Sequence, residues 1–423
     1  MAANIQAPRG VKDILPADSY KWQYIEGKIR EICRQSGFKE IRTPMFEHTE
    51  LFLRGVGDTT DVVQKEMYTF EDKGGRSITL RPEGTAGAAR AFIEHGLTSG
   101  TQPTKMYYLA LSVFRYENPQ AGRLREHHQF GVELFGAKDA SADAEVITLA
   151  LRTLKQMGVE NLSLNINSIG CPKCRPKYNE KLIAYFEDRK DKLCKVCQER
   201  LYKNPLRILD CKEEGCKELS KDAPHMIDCL CDECEEHFEN LKGYLEELGI
   251  QYNINPFIVR GLDYYTKTVF EIISNAIGSQ GTVCGGGRYD GLIKQVGGPE
   301  MPGVGFGMGM ERLLMVMENA GIEIPQPSAC DVFIATMGDR ARKKGFAIVK
   351  ELRDKGIAAD MDHCARSLKA QFKYADKIKA GKVIILGEEE LDSGACQIKN
   401  MRASSDEEKQ REIKISDIVK ELC

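Results

Sequence analysis

A chain of 423 residues, 42% hydrophobic and 29% charged, is too long for one compact core and ordinary for a water-soluble globular protein, so two or three domains are expected. A formal net charge of −3 excludes a polycation, and any nucleic-acid contact must come from local patches. No stretch reaches the apolar length a bilayer needs, and the opening MAANIQAPRGVKDILP lacks the apolar core of a secretion signal; a cytoplasmic location with no membrane contact is expected.

In chain order, Trp22, Ile25, Ile29 and Ile32 recur at helical spacing between Ala17 and Gly37, which predicts an amphipathic helix capped at Asp18 or Ser19 and stopped at Gly37. FKEIRTPMFE then alternates apolar and polar residues before a proline, the pattern of a strand near a sheet edge or an interface. Met106–Val113 and His127–Phe135 read as the arms of a long hairpin with the basic tip NPQAGRLRE. Further strands are predicted at Ile254–Val259, Val269–Ile273 and Val304–Met308, and a helix at Glu311–Asn319. The sum is an α+β body built on an antiparallel sheet. The proline-rich IEIPQPSACD reads as a linker, after which DVFIATM, GIAADMD and KVIILG alternate with helical segments, as in βαβ units on a small mixed sheet.

Five segments carry candidate chemistry. On the hairpin, Arg115 and Glu117 share one face of the first strand, and His127, Gln129, Gly131 and Glu133 share one face of the second. Brought together, these faces form a polar floor for a ligand with phosphate and amine groups; kept apart, they are solvated sheet. TLRPEGTAG sets Glu83 among small residues, GVGFGMGMERL runs a glycine-rich strand into a helix bearing Arg312, and RGLDYYTKTVFE and CGGGRYDGL lie between. Such glycine density lets backbone approach a flat ligand, and arginine suits two-pronged grip of phosphate oxygens.

Taken together and in order, these strings resemble the histidyl-tRNA synthetase family: FRYENPQAGRLREHHQFGVE is similar to class II synthetase motif 2, GFGMGMERL to motif 3, and RGLDYYTKTVFE with GGGRYDGL to the two histidine-specific peptides. GFKEIRTPMFE is the least distinct, similar to the dimer-forming motif 1. The resemblance implies a class II antiparallel-sheet catalytic domain in two parts, residues 1–170 and 241–325, a cysteine-rich insertion at 171–240, and an α/β anticodon-binding domain at 330–423. It implies a homodimer that activates L-histidine with ATP and Mg²⁺, releasing pyrophosphate, and transfers histidine to the 3′ end of tRNA(His). Arg260 and Arg115 would be catalytic, at the α-phosphate and the reacting carboxylate. Glu83, Thr85 and Gln129 would take the substrate ammonium, and Glu133, Tyr264 and Tyr265 the imidazole. Arg115, Arg123, His127 and Arg312 would bind ATP, and Gln120 and Arg125 would meet the tRNA. His127 stands where the family often has an aromatic residue to stack on adenine, offering less area.

A site that offers a carboxylate and a phenol to both imidazole nitrogens rejects apolar amino acids by roughly 10⁴-fold or more, since its polar groups would go unpaired. The nearest alternative is a non-catalytic histidine-sensing paralogue, which typically lacks the C-terminal domain and degrades the ATP-gripping motifs; another is a zinc-dependent nucleic-acid-binding module.

Nine of the 15 cysteines fall between Cys171 and Cys234. Two CxxC pairs, Cys171 with Cys174 and Cys194 with Cys197, lie about twenty residues apart, the spacing of a structural zinc site; the alternative is a metal-free insertion of the kind many family members direct at the tRNA acceptor stem. As an excursion between motif 2 and RGLDYY it is expected to be a separate lobe that adds tRNA affinity and not chemistry. Near the C-terminus, Arg366, Lys369, Lys373 and Lys377 fall on one face of a helix, a solvated face or, in an anticodon-binding module, a phosphate-contacting ridge.

Overall fold

A computed structural model describes residues 4–57, 60–119, 122, 124–276, 281–327, 330–403 and 410–422. The chain divides into two compact units, Met1–Ile324 and Pro325–Cys423, inside the expected linker.

The first unit opens with helix α1 (Pro16–Gln35), then β1 (Lys39–Glu40), β2 (Phe46–His48), α2 (Thr49–Val56), β3 (Tyr68–Glu71), β4 (Ser77–Leu80) and α3 (Thr85–Glu94). The long hairpin β5 (Thr104–Phe114) and β6 (Glu126–Phe135) precedes α4 (Ala140–Gln156) and β7 (Leu162–Ser168). The excursion carries α5 (Arg175–Glu187), α6 (Lys195–Lys203), α7 (Glu214–Ser220) and α8 (Asp232–Glu247). The body closes with β8 (Asn253–Ile254), β9 (Thr266–Ser274), β10 (Thr282–Arg288), α9 (Leu292–Gln295), β11 (Gly303–Gly309) and α10 (Met310–Asn319).

Eight strands form one sheet in the order β1-β5-β6-β11-β10-β9-β7-β8, with parallel pairs only at the edges and antiparallel pairing through the middle. On one face α1 buries Ile25, Ile29 and Ile32, each worth roughly 2 kcal/mol of apolar burial, against α4 and the sheet. The helix begins one turn earlier than expected: Pro16, whose missing N–H costs nothing at a first turn, sets the start, and neither Asp18 nor Ser19 caps it. FKEIRTPMFE splits into β1 at the edge of the large sheet and β2 in a separate three-stranded sheet, β2-β4-β3, where Met45, Phe46 and Phe70 are about half exposed. Of Ile254–Val259 only Ile254 is in a strand. CGGGR, singled out for its glycines but not among the predicted strands, is the central strand β10: absence of side chains lets β9 and β11 close on it, where a Cβ on Gly287 would stand 2.5 Å from the Thr268 carbonyl oxygen.

The excursion is not a free-standing lobe. Its Tyr178, Leu182, Phe186, Leu201 and Ile208 share one apolar cluster with Phe92, Phe135, Tyr264, Tyr265 and Tyr289 of the catalytic body. Its closing helix α8 sets His237 Nε2 3.4 Å from Asp143 on α4. Burial would raise the Asp143 carboxyl, but the fully buried Arg288 and His237 outweigh it and hold the group at about 2.

In the second unit β12 (Val332–Thr336), α11 (Asp339–Asp354), β13 (Ala359–Met361), α12 (Leu368–Lys377) and β14 (Lys382–Leu386) form the expected parallel units. Two antiparallel strands, β15 (Ala395–Asn400) and β16 (Gln410–Lys414), extend the sheet to five, ordered β13-β12-β14-β15-β16.

Candidate active site

The centre of the large sheet supplies the site. In β6, Gln129, Gly131 and Glu133 share one face, as the period of two requires, and β11 runs beside them, pairing Gly309 with Gln129, Gly307 with Gly131 and Gly305 with Glu133. The glycines leave the space those side chains fill: a Cβ on Gly305 would collide with the Glu133 carboxylate, one on Gly307 with the Gln129 amide, and one on Gly131 with the Tyr108 ring. On β10, a Cβ at Gly285 would stand 2.5 Å from Arg260 Nη1. The motif glycines are thus the floor on which the polar groups lie.

Glu133 is fully buried. Its oxygens accept hydrogen bonds from the Tyr108 hydroxyl at 3.2 Å and from the Tyr289 hydroxyl. Burial pushes its carboxyl up to about 8; the tyrosine hydroxyls and Thr85 oppose the rise, and the nearby Glu83 adds to it. Glu83 lies at the start of α3, where its oxygens accept the Thr85 and Ala86 backbone N–H groups at 2.7 Å, and burial raises it too despite those bonds. Tyr264, 3.5 Å from Glu83, meets Tyr265 at a tilt, 4.7 Å between ring centroids, and Tyr289 edge to face, 5.5 Å between ring centroids.

Arg260 donates to Glu271 at 2.6 Å and lies 5.7 Å over the Tyr265 ring. Burial would lower its pKa, but Tyr265 and Glu271 outweigh that and raise it, so the cation is secure. Among the described residues, Arg260 Nε and Gln129 Oε1 are buried without a hydrogen-bond partner in the protein. Such atoms cost free energy unless a ligand satisfies them.

Arg115 and Glu117, expected on one face of the first strand, both lie past the end of β5, where the chain leaves the sheet; Arg115 Nε donates to the Pro82 carbonyl at 2.8 Å and Nη1 stands 3.8 Å from Glu66. Arg312, on α10, donates to the Thr282 carbonyl at 2.7 Å, which ties it to β10. His127 lies on β6 opposite Val113. Arg125 packs 4.1 Å over the Tyr116 ring and donates to the Glu117 carbonyl. Gln120 and Arg123, expected to meet tRNA and ATP, lie outside the described residues.

Reasoning from the sequence missed three participants. Tyr108 sits in an apolar strand run that gives no cue, Tyr289 stands next to the glycines of a motif already singled out, and Arg175 reaches from the excursion to donate to the Tyr265 carbonyl. The four cysteines expected in one metal site do not meet. Cys171 and Cys174 gather with Cys231 and Cys234, while Cys194 and Cys197 gather with Cys211 and Cys216. Each CxxC turn finds its partners at the next return of the chain and not in the next CxxC. In the second unit Lys369, Lys373 and Lys377 are exposed on α12. Arg366 precedes that helix, tied to Asp362 by a 2.7 Å bond from its own N–H and stacked 4.7 Å over Tyr374, so the expected four-residue helical ridge has three members.

Residues 10–313 match the histidyl-tRNA synthetase family, and residues 331–423 match the anticodon binding domain. The chain is 60% identical over 403 residues to the histidine--tRNA ligase of Caldanaerobacter subterraneus subsp. tengcongensis, an alignment covering 95% of this chain and 96% of that one. It is 59% identical over 415 residues to the histidine--tRNA ligase of Clostridium botulinum strain 657, with 98% of each covered. The structure of apo histidyl-tRNA synthetase from S. aureus matches with a TM-score of 0.84 and 40% identity over 99% of both chains. With a class II sheet carrying the expected motifs side by side, and a family match over most of its length, the chain belongs to the histidyl-tRNA synthetase family.

Proposed function

We propose that this chain activates L-histidine with ATP and then transfers it to the 3′ end of tRNA(His), acting as a cytoplasmic homodimer. The observation that carries the reading is the pocket around Glu133. A buried carboxylate held by phenols, with a second buried carboxylate at Glu83 and the unpartnered atoms of Gln129 and Arg260 beside it, suits a small ligand with a basic ring, an ammonium group and a carboxylate.

Glu133, with Tyr264 and Tyr265, takes the imidazole, and Glu83, Thr85 and Gln129 take the ammonium. Arg260 and Arg115 then hold the histidine carboxylate against the α-phosphorus of ATP, with His127 at the adenine and Arg123 and Arg312 on the phosphates. A carboxylate oxygen attacks that phosphorus, the histidyl-adenylate bond forms and pyrophosphate leaves; positive charge already in place stabilises the anionic transition state. Carboxylates beside the arginines, Glu66 near Arg115 and Glu271 near Arg260, are oxygen donors of the kind Mg²⁺ takes, and that ion would neutralise phosphate charge. Gln120 and Arg125 meet the tRNA near the reaction centre, and Arg366, Lys369, Lys373 and Lys377 meet it from the anticodon-binding domain. No helix among the described residues is long and apolar enough to cross a membrane, in keeping with partners in solution.

ATP–pyrophosphate exchange tests the reading: it is expected with histidine and with no other standard amino acid. Exchange with a different amino acid, or none with histidine, overturns it.

A further inference from the structure

Eight of the nine clustered cysteines meet at two points. In one, Cys171 and Cys174 come from the turn between β7 and α5, and Cys231 and Cys234 from the start of α8; in the other, Cys194 and Cys197 come from the start of α6, and Cys211 and Cys216 from the turns before and within α7. Within each quartet all four sulfurs lie within 4.8 Å of one another. Cys171 Sγ is 3.7 Å from Cys174 Sγ and 3.8 Å from Cys231 Sγ, and Cys194 Sγ is 3.8 Å from Cys211 Sγ. A disulfide needs about 2.05 Å, so these are not bonded pairs. A zinc ion with four thiolates at about 2.3 Å puts its sulfurs at the corners of a tetrahedron with edges of about 3.8 Å, which matches these three pairs.

The surroundings agree with thiolates. Sulfur accepts backbone N–H groups in both quartets: Lys173 N to Cys171 at 3.4 Å, Cys231 N to Cys174 at 3.2 Å, and Cys194 N to Cys216 at 3.3 Å. Six of the eight side chains are buried, and the two others, Cys231 and Cys194, are partly buried, so an ion would be enclosed. Cys229, between the two groups in sequence, belongs to neither and takes a contact from Lys181 Nζ at 3.4 Å.

We propose that the excursion holds two zinc ions, one in Cys171, Cys174, Cys231 and Cys234 and one in Cys194, Cys197, Cys211 and Cys216. Binding at each site converts four thiols to thiolates, releasing up to four protons, and changes no oxidation state. The first ion joins the point where the excursion leaves the sheet to the point where it returns, a neck otherwise held by α8 and by side-chain packing. The second closes the α6–α7 loop, whose Arg207 donates to the Arg260 carbonyl at 3.2 Å and whose Asn204 donates to Asp263 at 3.0 Å. The second site thus supports the RGLDYY peptide through Arg207 and Asn204, and the first through Arg175, which follows Cys174 and donates to the Tyr265 carbonyl.

The test is metal analysis of the full-length protein purified without chelator, where about two zinc ions per chain are expected. Titration of that protein with a mercurial reagent should release zinc in proportion to thiols consumed, about four per ion, which needs no variant to fold. Cobalt substitution should give the intense thiolate-to-cobalt absorption of tetrahedral sites. Cys234→Ser and Cys211→Ser should each lose about one ion, and Cys229→Ser should keep both. Metal-free protein with eight freely reactive thiols, iron in place of zinc, or a single ion shared between the quartets overturns the proposal. Because metal content is read without catalysis, it stands or falls apart from the amino-acid specificity.

Discussion

The pocket around Glu133 and the cysteine excursion dispose of buried polar atoms in opposite ways. In the pocket, donors from four places in the chain converge on the carboxylates, yet the buried Gln129 Oε1 and Arg260 Nε are left over. In the excursion eight sulfurs turn chiefly toward one another and are walled off. Buried atoms left unsatisfied suit a molecule that comes and goes. Atoms gathered inside a fold suit an ion that stays.

The sharpest way to break that contrast is at the exchangeable end. Arg260→Ala should lower histidine-dependent pyrophosphate exchange by about 10²–10³-fold while histidine binding survives, because its charge acts at the α-phosphate. Gly285→Ala should approach the same loss without touching a charge, since the new Cβ must displace the Arg260 guanidinium. Near-normal exchange in Arg260→Ala would remove Arg260 from the chemistry. Next in size is Glu133→Gln, which should reduce kcat/KM for histidine by about 10²-fold with little change in KM for ATP. Equal losses for both substrates would show that Glu133 does not read the ring.

Glu133 also makes a statement about pH. Its folded-state pKa, about 8, lies above the ordinary carboxylate value, so the folded protein holds a proton there that the unfolded chain releases. Stability then declines as pH rises from about 5 to 8, because the folded state binds the extra proton. Glu133→Gln cannot ionise and should lack that part of the decline, so its melting temperature should gain on the parent's across this window. Parallel profiles would mean that Glu133 is already ionised.

How far the sequence could be read follows the same division. Gln129 and Glu133 are legible because strand alternation fixes their face, Arg312 because a glycine-rich string leads into its helix, and the C-terminal βαβ units because apolar runs alternate with helical ones, whereas Arg115 lies past the strand on which alternation put it. Tyr108 is not, since nothing in MYYLALSVF says which tyrosine will meet a carboxylate 25 residues on. The cysteines show that both kinds of failure can share one motif: spacing announces a CxxC turn, but which turns meet is decided by α5, α6 and α8, whose packing no local pattern states. The excursion's attachment was hidden for the same reason, because its core is completed by side chains from either end of the body.

That attachment lets the two regions be tested against each other. Stripping metal from the full-length protein should lower kcat/KM for histidine by about tenfold, the scale of losing a supporting contact, through the Arg175 donation to the Tyr265 carbonyl and the Arg207 donation to Arg260. Unchanged kinetics after complete metal loss would show that the brace is not transmitted. A change away from both regions serves as a control: Phe46→Asp with Phe70→Asp, on the half-exposed apolar face of the three-stranded sheet, should convert a dimer to monomer in sedimentation while leaving zinc content unchanged. A dimer that persists would place the interface elsewhere.

The smallest effect is expected in the second unit. Lys369, Lys373 and Lys377 recur every four residues along α12 and are exposed, so their ammonium groups form one row. A row of this kind meets a phosphate backbone through counterion release and reads no base. The triple change to alanine should therefore weaken tRNA binding at every salt concentration and flatten the slope of log affinity against log salt by up to about one unit per lost contact. Arg366 should contribute less than its charge suggests, since Asp362 and the Tyr374 ring already hold it. Pyrophosphate exchange without tRNA should be untouched, which separates this loss from damage to the pocket. A triple variant that binds tRNA with an unaltered salt slope would make the row a solvated helix face and nothing more.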